Sequence, residues 1–123
     1  MRPKSTKTLR LLYVEDDEMT ATAMKRWLKD HQCHVTHTAW ASKAVQMLKE
    51  RAADYDAIIT DWDLLDHENG GQVAFEATML GIPVRIYSGR LCADPTWNKI
   101  WLMKGRNGDV ESFLQSLRPE EGR

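Results

Sequence analysis

Carboxylates directly follow two apolar runs of the sequence, and they are the residues best placed to do chemistry. Glu15 and Asp16 directly follow "LRLLYV". Asp61 directly follows "AIIT", and Asp63 stands two residues further on. Apolar runs of this kind usually lie in a core, where an ionised carboxylate without a partner is costly or takes up a proton. The pattern therefore indicates that a cation holds these acids.

Apolar runs alternate with helically spaced apolar residues along the chain, which predicts alternating strands and helices. The predicted strands span residues 9–14, 34–37, 55–59, 84–88 and 100–103. The predicted helices carry the stripes Thr20–Ala23–Met24–Trp27, Ala41–Ala44–Val45–Leu48 and Val110–Phe113–Leu114–Leu117, and a further short helix spans 72–80. Asn107 or Asp109 should cap the last helix. This order predicts an α/β fold with a five-stranded parallel sheet covered on both faces.

The carboxyl ends of parallel strands meet at one edge of the sheet, where such folds bind ligands. The polar residues that follow the predicted strands are Glu15, Asp16, Asp17, Asp61, Asp63, Ser88 and Lys104. Two carboxylates about 4 Å apart repel by roughly 4 kcal/mol at an effective dielectric constant of about 20, so one lysine cannot neutralise three of them. A divalent cation can. A few carboxylates with room for water and phosphate favour Mg²⁺ over Ca²⁺.

A carboxylate at such a metal site is a candidate nucleophile toward phosphorus. Asp61 is that candidate, because aspartate accepts a phosphoryl group as an aspartyl phosphate. Ser88 would then hydrogen-bond one phosphoryl oxygen and Lys104 would pair with another, while the metal neutralises charge on the transferring oxygens.

Five short motifs, in this order along the chain, resemble the receiver domain of two-component response regulators. They are "LLYVEDDE", "HVTHTAWASKAVQML", "YDAIITD", "IPVRIYSG" and "WLMK". Each motif alone is weakly specific, whereas the five in order, each at a strand end, are specific together. The resemblance predicts a receiver domain over residues 9–118. It implies a doubly wound, flavodoxin-like parallel sheet of order 2-1-3-4-5 with helices on both faces.

The resemblance also implies a phosphoacceptor and its metal ligands. Asp61 would take a phosphoryl group from the phosphohistidine of a histidine kinase or histidine phosphotransfer protein. Mg²⁺ would be bound by Asp16, Asp61 and the main-chain carbonyl of Asp63, with Glu15 acting mostly through water. Such a domain is a signalling module rather than an enzyme, because it hydrolyses only its own aspartyl phosphate.

The resemblance also implies roles for Lys104 and for a switch pair, Ser88 and Trp101. Lys104 would pair with the phosphoryl group, and the hydroxyl of Ser88 would move toward it. Trp101 would be the aromatic residue that reorients behind Ser88, which would alter the face built from strands four and five. That face would bind an output partner that the sequence does not identify.

Four features depart from the family's usual pattern. Glycine follows the lysine in Lys104-Gly105, where proline is usual, and Leu65 stands where the loop after the phosphoacceptor usually has a proline. Residues 89–100 are few for a parallel crossover, so the fourth helix should be shortened to a single turn broken near Pro95. Tryptophan at 101 is larger than the usual Tyr or Phe. These departures predict damped or absent switching.

Two other functions stay open on the same residues. A haloacid-dehalogenase-like phosphatase would use "DWD" with Asp63 as general acid. Its acidic pair follows the lysine motif, however, whereas Glu15 and Asp16 come first, and the chain has no room for a substrate-selecting cap. A pseudo-receiver would keep the fold as a non-phosphorylated interaction module, which Gly105 and Trp101 favour.

Composition limits the classes of partner and location. The 123 residues fit one domain, and 17 Lys plus Arg against 18 Asp plus Glu leave a net charge of −1, which argues against nucleic acid or an anionic membrane surface. Two cysteines and no apolar leader favour a soluble, cytoplasmic protein in a reducing compartment. Residues 1–8 are expected to form a disordered basic tail and residues 119–123 a frayed end.

Overall fold

The computed structural model describes residues 7–65 and 69–118. Lys7 and Thr8 of the predicted N-terminal tail are exposed. The rest of that tail, the predicted C-terminal tail and residues 66–68 of the loop after Asp61 lie outside the described residues. No helix within the described ranges is long and apolar enough to cross a membrane.

Five parallel strands form one sheet in the order β2-β1-β3-β4-β5, which confirms the predicted fold. The strands are β1 (Leu9–Val14), β2 (Cys33–Thr38), β3 (Ala57–Thr60), β4 (Val84–Ser88) and β5 (Trp101–Met103). The sequence placed each strand within two residues of these bounds. The order reverses direction at β1 and β3, so the carboxyl ends of those two strands flank the crevice in which this fold binds ligands.

Within the described residues, four α-helices cover the sheet, namely α1 (Glu18–Asp30), α2 (Ala41–Arg51), α3 (Gly70–Met79) and α4 (Asn107–Ser116). Successive strand residues point to opposite faces, which divides the core into two layers. Leu11 and Tyr13 of β1 pack with α1 and α4. Leu12 and Val14 pack with α2 and α3. Because β3 is buried along its whole length, Asp61 follows directly from the centre of the core.

Two local predictions about helices were wrong. The buried face of α1 is formed by Ala21, Met24 and Leu28, whereas Ala23 of the predicted stripe is exposed. Because small alanines lie on both sides of the stripe, residue spacing alone could not determine which of them faces the core. Neither predicted residue caps α4: the cap position is Arg106, without a side-chain hydrogen bond. The Asn107 side chain instead accepts a hydrogen bond from the Tyr87 hydroxyl at 2.9 Å.

The crossover between β4 and β5 contains a short 3₁₀ helix, Pro95–Ile100, in place of a full α-helix. This confirms the shortened helix, although the helix begins at Pro95 rather than breaking there. The Asp94 side chain caps it by accepting a hydrogen bond from the main-chain N–H of Thr96 at 2.9 Å. The proline fits at the first helical position because its missing N–H would have no partner there.

Candidate functional site

Three carboxylates converge at the carboxyl edge of the sheet. Glu15, Asp16 and Asp61 each offer an oxygen, and these oxygens lie within 4.8 Å of one another. Main-chain hydrogen bonds fix their positions, because Glu15 donates to Thr38 at 3.0 Å and Asp61 donates to Val14 at 2.8 Å, which extends the sheet ladder past the strand ends. Glu15 is 1% exposed and Asp61 6% exposed, whereas Asp16 is half-buried at the rim of the cluster.

Lys104 reaches into this cluster from the end of β5. Its ammonium lies 2.9 Å from Glu15 Oε1 and 3.2 Å from Asp61 Oδ2. The main-chain N–H of Lys104 donates to the Ser88 carbonyl at 2.8 Å, which places the lysine beside the end of β4. Gly105 follows with φ of +92°, a conformation that a side chain would strain. The lysine is therefore directed by the turn after it as well as by its ion pairs.

The charges at this edge do not balance. Burial raises the pKa of Glu15 to about 7; the nearby charge of Asp61 adds to this, while Lys104 opposes it. Burial lowers the pKa of Lys104, but the contact with Glu15 and the charge of Asp61 outweigh it, so its pKa is raised and the ammonium persists. Glu15 Oε1 is buried and accepts no well-aligned hydrogen bond, despite its short contact with the ammonium. The all-oxygen donor set, with three acids beside one ammonium, fits a magnesium ion.

The Asp61 carboxylate is oriented by the chain that follows it. The main-chain N–H of Trp62 donates to Asp61 Oδ1 at 2.7 Å, and the Thr60 hydroxyl donates to the Asp61 carbonyl at 2.9 Å. Gly70 packs directly on that carbonyl, because a Cβ at Gly70 would overlap its oxygen. The Gly70 N–H also donates to Trp62 O at 2.8 Å, which closes the loop back onto the site. A glycine at 70 is thus required by close approach of backbone to backbone.

Comparisons with known proteins agree with this geometry. No family model matches the sequence. The two-component response regulator ARR12 of Arabidopsis thaliana is 30% identical over 114 residues, which is 92% of this chain and 18% of that protein. A response regulator receiver protein from Sinorhizobium medicae WSM419 superimposes with a TM-score of 0.79 at 24% identity, over 92% of this chain and 96% of that chain. The chain belongs to the receiver domains of response regulators.

A second solved receiver domain resembles this one in fold. It is the receiver domain of the sensor histidine kinase PA1611 from Pseudomonas aeruginosa PAO1, with a TM-score of 0.75 at 21% identity over 89% of this chain and 97% of that chain. That structure has a magnesium ion coordinated in its active-site cleft. The present chain spans only 18% to 21% of the length of the first three curated relatives.

Ser88 and Trp101, the predicted switch pair, both hydrogen-bond to the backbone of Arg90, a residue that was not predicted to belong to the site. Ser88 is buried, and its hydroxyl accepts a hydrogen bond from the main-chain N–H of Arg90 at 3.3 Å. Trp101 is half-buried, and its indole Nε1 donates to the carbonyl of the same Arg90 at 2.9 Å. Only the position of Arg90, two residues after Ser88, could have suggested this link. The backbone of Arg90 therefore joins the two positions.

Asp63 separates from the other acids of the receiver domain. Its carboxylate is 58% exposed and pairs with the Arg90 guanidinium at 2.9 Å. It does not belong to the oxygen cluster of Glu15, Asp16 and Asp61. The predicted metal contact through the Asp63 main-chain carbonyl stays a prediction. Asp17 caps α1 by accepting the Thr20 N–H at 2.8 Å, as expected of a helix-start charge rather than a ligand.

Two further contacts support the acidic edge of the receiver domain. A ring nitrogen of His37 lies 2.8 Å from the Glu15 carbonyl oxygen, so β2 supports the acidic side of the cleft. The Trp62 ring packs 5.3 Å from the Trp101 ring and 6.4 Å from the Trp97 ring, measured between centroids. Trp62 thus packs beside the site. The three tryptophans connect the loop after Asp61 to the shortened crossover and β5.

Proposed function

We propose that this receiver domain accepts a phosphoryl group on Asp61 from the phosphohistidine of a histidine kinase or histidine phosphotransfer protein. A carboxylate oxygen of Asp61 forms the new bond to phosphorus while the bond to the imidazole nitrogen breaks, and the histidine leaves as free imidazole. The observation that carries the proposal is the cluster of Glu15, Asp16 and Asp61 with Lys104 directed into it. Curated two-component response regulators match over nearly the whole chain.

The acids of the cluster would hold Mg²⁺ through Asp16, Asp61 and the Asp63 carbonyl, with Glu15 acting mostly through water. When bound, the ion neutralises charge that develops on the transferring oxygens. Support comes from the clustered oxygens of Glu15, Asp16 and Asp61 and from the magnesium in the cleft of the Pseudomonas receiver domain. Lys104 would pair with one phosphoryl oxygen, because its ammonium already contacts Asp61 at 3.2 Å.

Ser88 and Trp101 would report the phosphoryl group to a partner surface formed by β4 and β5. Movement of the Ser88 hydroxyl toward the phosphoryl group would break the hydrogen bond that it accepts from the Arg90 N–H. The backbone of Arg90 could then shift, which would move the carbonyl that accepts the hydrogen bond from the Trp101 indole. A tryptophan held by a hydrogen bond and packed on Trp62 resists reorientation more than a free aromatic ring would. The switch should therefore be of small amplitude.

Fluorescence tests the proposal directly. Adding beryllofluoride in the presence of Mg²⁺ should change the tryptophan emission. The reason is that the main-chain N–H of Trp62 donates to Asp61 and the Trp62 ring packs on two other tryptophans. The change should vanish in Asp61→Asn and shrink in Trp62→Phe. Matched additions of Mg²⁺ alone separate metal binding from formation of the phosphoryl mimic. Unchanged emission in the native protein under all conditions would contradict the proposal.

The pseudo-receiver is the second candidate, favoured by the tied indole of Trp101 and by Gly105. In that case the domain would bind its partner in one conformation without phosphorylation. A haloacid-dehalogenase-like phosphatase is disfavoured because Asp63, its required general acid, pairs with Arg90 rather than joining the cluster. Multiple turnover of p-nitrophenyl phosphate would identify the phosphatase, since a receiver domain is modified only once.

A further inference from the structure

An aromatic cavity lies beside the loop after Asp61, between α3 and the shortened crossover. Its volume is about 580 Å³, and its walls include Trp62, Phe75, Trp97, Glu76 and Asp94. This volume falls within the range of about 300–1,000 Å³ that is usual for small-molecule sites. The proposed phosphotransfer uses none of the side chains of Phe75, Glu76, Asp94 and Trp97, so this cavity is distinct from the acidic cluster.

The shortened crossover is the reason that the cavity exists. Residues Pro95–Ile100 form only a 3₁₀ helix, which leaves the neighbouring face of α3 without a helical partner. Phe75 is 60% exposed there, and Trp97 is the crossover's main contribution to the wall. Gly71 lets the Trp62 ring lie flat on the start of α3, since a Cβ at 71 would stand 3.2 Å from that ring. Packing therefore holds the Trp62 ring in place, whereas Phe75 is open to solvent.

Glu76 and Asp94 give the cavity a negative charge that no ion pair neutralises among the described residues. Hydrogen bonds from the main-chain N–H and hydroxyl of Thr96 lower the pKa of Asp94, so that carboxylate stays charged at neutral pH. Two carboxylates that line the same cavity as indole and phenyl rings form an environment suited to a cation and unsuited to an anion.

We propose that this cavity binds an organic cation of the alkylammonium or guanidinium class. The rings of Trp62, Phe75 and Trp97 contact the cation through their negative faces, and Glu76 and Asp94 supply the opposite charge. A hydrated metal ion would gain little from aromatic walls, whereas a weakly hydrated organic cation gains from both walls and charge. The cation is either a free small molecule or the basic side chain of a partner polypeptide. Binding there does not depend on phosphorylation of Asp61.

Matched charged and neutral probes test this site. Choline is compared with 3,3-dimethyl-1-butanol, and ethylguanidinium with N-ethylurea, each pair having similar shape but different charge. Both cations should shift the indole N–H resonances of Trp62 and Trp97 in ¹H–¹⁵N spectra at constant ionic strength, and the neutral partners should not. Equal shifts from cation and neutral probe, or no shifts from either cation, would overturn the proposal.

Paired variants test the charges. Glu76→Gln with Asp94→Asn should weaken cation binding about tenfold or more. Asparagine keeps the cap on Thr96, so the 3₁₀ helix should persist. Glu111→Gln is the matched control, because Glu111 is an exposed acid of α4 on the other face of the sheet, and it should leave affinity unchanged. Unaltered affinity in the double variant would overturn the proposal.

A third comparison distinguishes a free cation from the basic side chain of a partner polypeptide. The blocked tripeptide acetyl-Leu-Arg-Leu-amide is titrated beside ethylguanidinium, with acetyl-Leu-Gln-Leu-amide as its neutral control. Tighter binding of the arginine peptide would assign the site to a basic side chain of a partner, aided by the exposed Phe75 and Met79 of α3. Equal or weaker binding of the peptide would assign it to a free cation. Both results support the site.

Discussion

The ammonium of Lys104 lies 2.9 Å from Glu15 Oε1, closer than its 3.2 Å distance to Asp61 Oδ2. The lysine thus stands among the acids, where it partly offsets a cluster that the proposed metal would complete. Its side chain is 25% exposed, which leaves it a route toward an incoming phosphoryl group. One residue therefore links the stability of the apo domain to its proposed chemistry.

Lys104→Met should destabilise the metal-free domain and make its stability depend on Mg²⁺. Removing the ammonium leaves Glu15 and Asp61 buried without it, at a cost of about 1–3 kcal/mol after allowance for partial exposure. Added Mg²⁺ should restore more stability to the variant than to the native protein. Thermal unfolding with and without MgCl₂ measures this. Lys99→Met, at an exposed lysine of the 3₁₀ helix, serves as control, and equal Mg²⁺ effects in the two variants would refute the prediction.

Gly70→Ala should disrupt the loop that follows Asp61. The added Cβ would overlap the carbonyl oxygen of Asp61, and neither backbone can shift without breaking the bond from the Gly70 N–H to Trp62. We expect destabilisation of about 1–3 kcal/mol or more from such overpacking. Urea denaturation measures it. Gly108→Ala in α4 has open space around the new methyl and should be neutral or stabilising by up to about 1 kcal/mol. Similar effects at both glycines would count against this account.

Arg118 should stabilise the domain, because its buried side chain hydrogen-bonds to the main chain of other segments. Its guanidinium donates to the carbonyls of Lys7, His31 and Gln32 at 3.1, 2.6 and 3.0 Å, although the residue is only 6% exposed. Arg118→Met would leave these acceptors without their charged donor, and we expect a loss of about 2–4 kcal/mol. A lower urea midpoint with an unchanged m-value would agree. Arg106→Met, at an exposed arginine, is the control, and a loss of the same size there would disprove this role.

Asp56 should make the stability depend on pH in the acid range. Burial raises its pKa, but the main-chain N–H of Arg10, which donates to Asp56 Oδ2 at 2.8 Å, and the Arg10 charge outweigh this, so the pKa lies below 3.8. A lowered pKa gives stability that is complete above the unfolded value and is lost as the pH falls through the folded value.

The native protein should therefore exceed Asp56→Asn in unfolding free energy at about pH 7, and the gap should shrink below about pH 4. Urea denaturation at the two pH values measures both gaps. Asp54→Asn, which alters a more exposed pair with Arg51, should show no such change. A gap between native and Asp56→Asn protein that is constant with pH would contradict the assignment.

The sequence predicted the parts of the site that follow from topology. Parallel strands bring their carboxyl ends together, so Glu15, Asp61 and Lys104 could be grouped without knowledge of any loop. The contacts of Arg90 with Asp63, Ser88 and Trp101 could not, because they depend on the path of an irregular crossover. Local periodicity failed where small residues flank the helical stripe, as at Ala21 and Ala23 of α1.

Long-range side-chain contacts were also beyond reach of the sequence. Arg118 joins carbonyls 86 to 111 residues away, and nothing near residue 118 in the sequence indicates those acceptors. The aromatic cavity likewise depends on how far the shortened crossover stands from α3. Sequence spacing gives the neighbours within an element, whereas these contacts depend on the packing of elements against one another.

The most direct test of the central claim is the intact mass of the protein after incubation with acetyl phosphate. With Mg²⁺ present, the native domain should gain the mass of one phosphoryl group, and peptide mapping after borohydride trapping should place it on Asp61. Chelation of Mg²⁺, or the Asp61→Asn substitution, should abolish the gain. An unchanged mass in the native protein with Mg²⁺, or a phosphoryl group that persists in Asp61→Asn, would contradict the account.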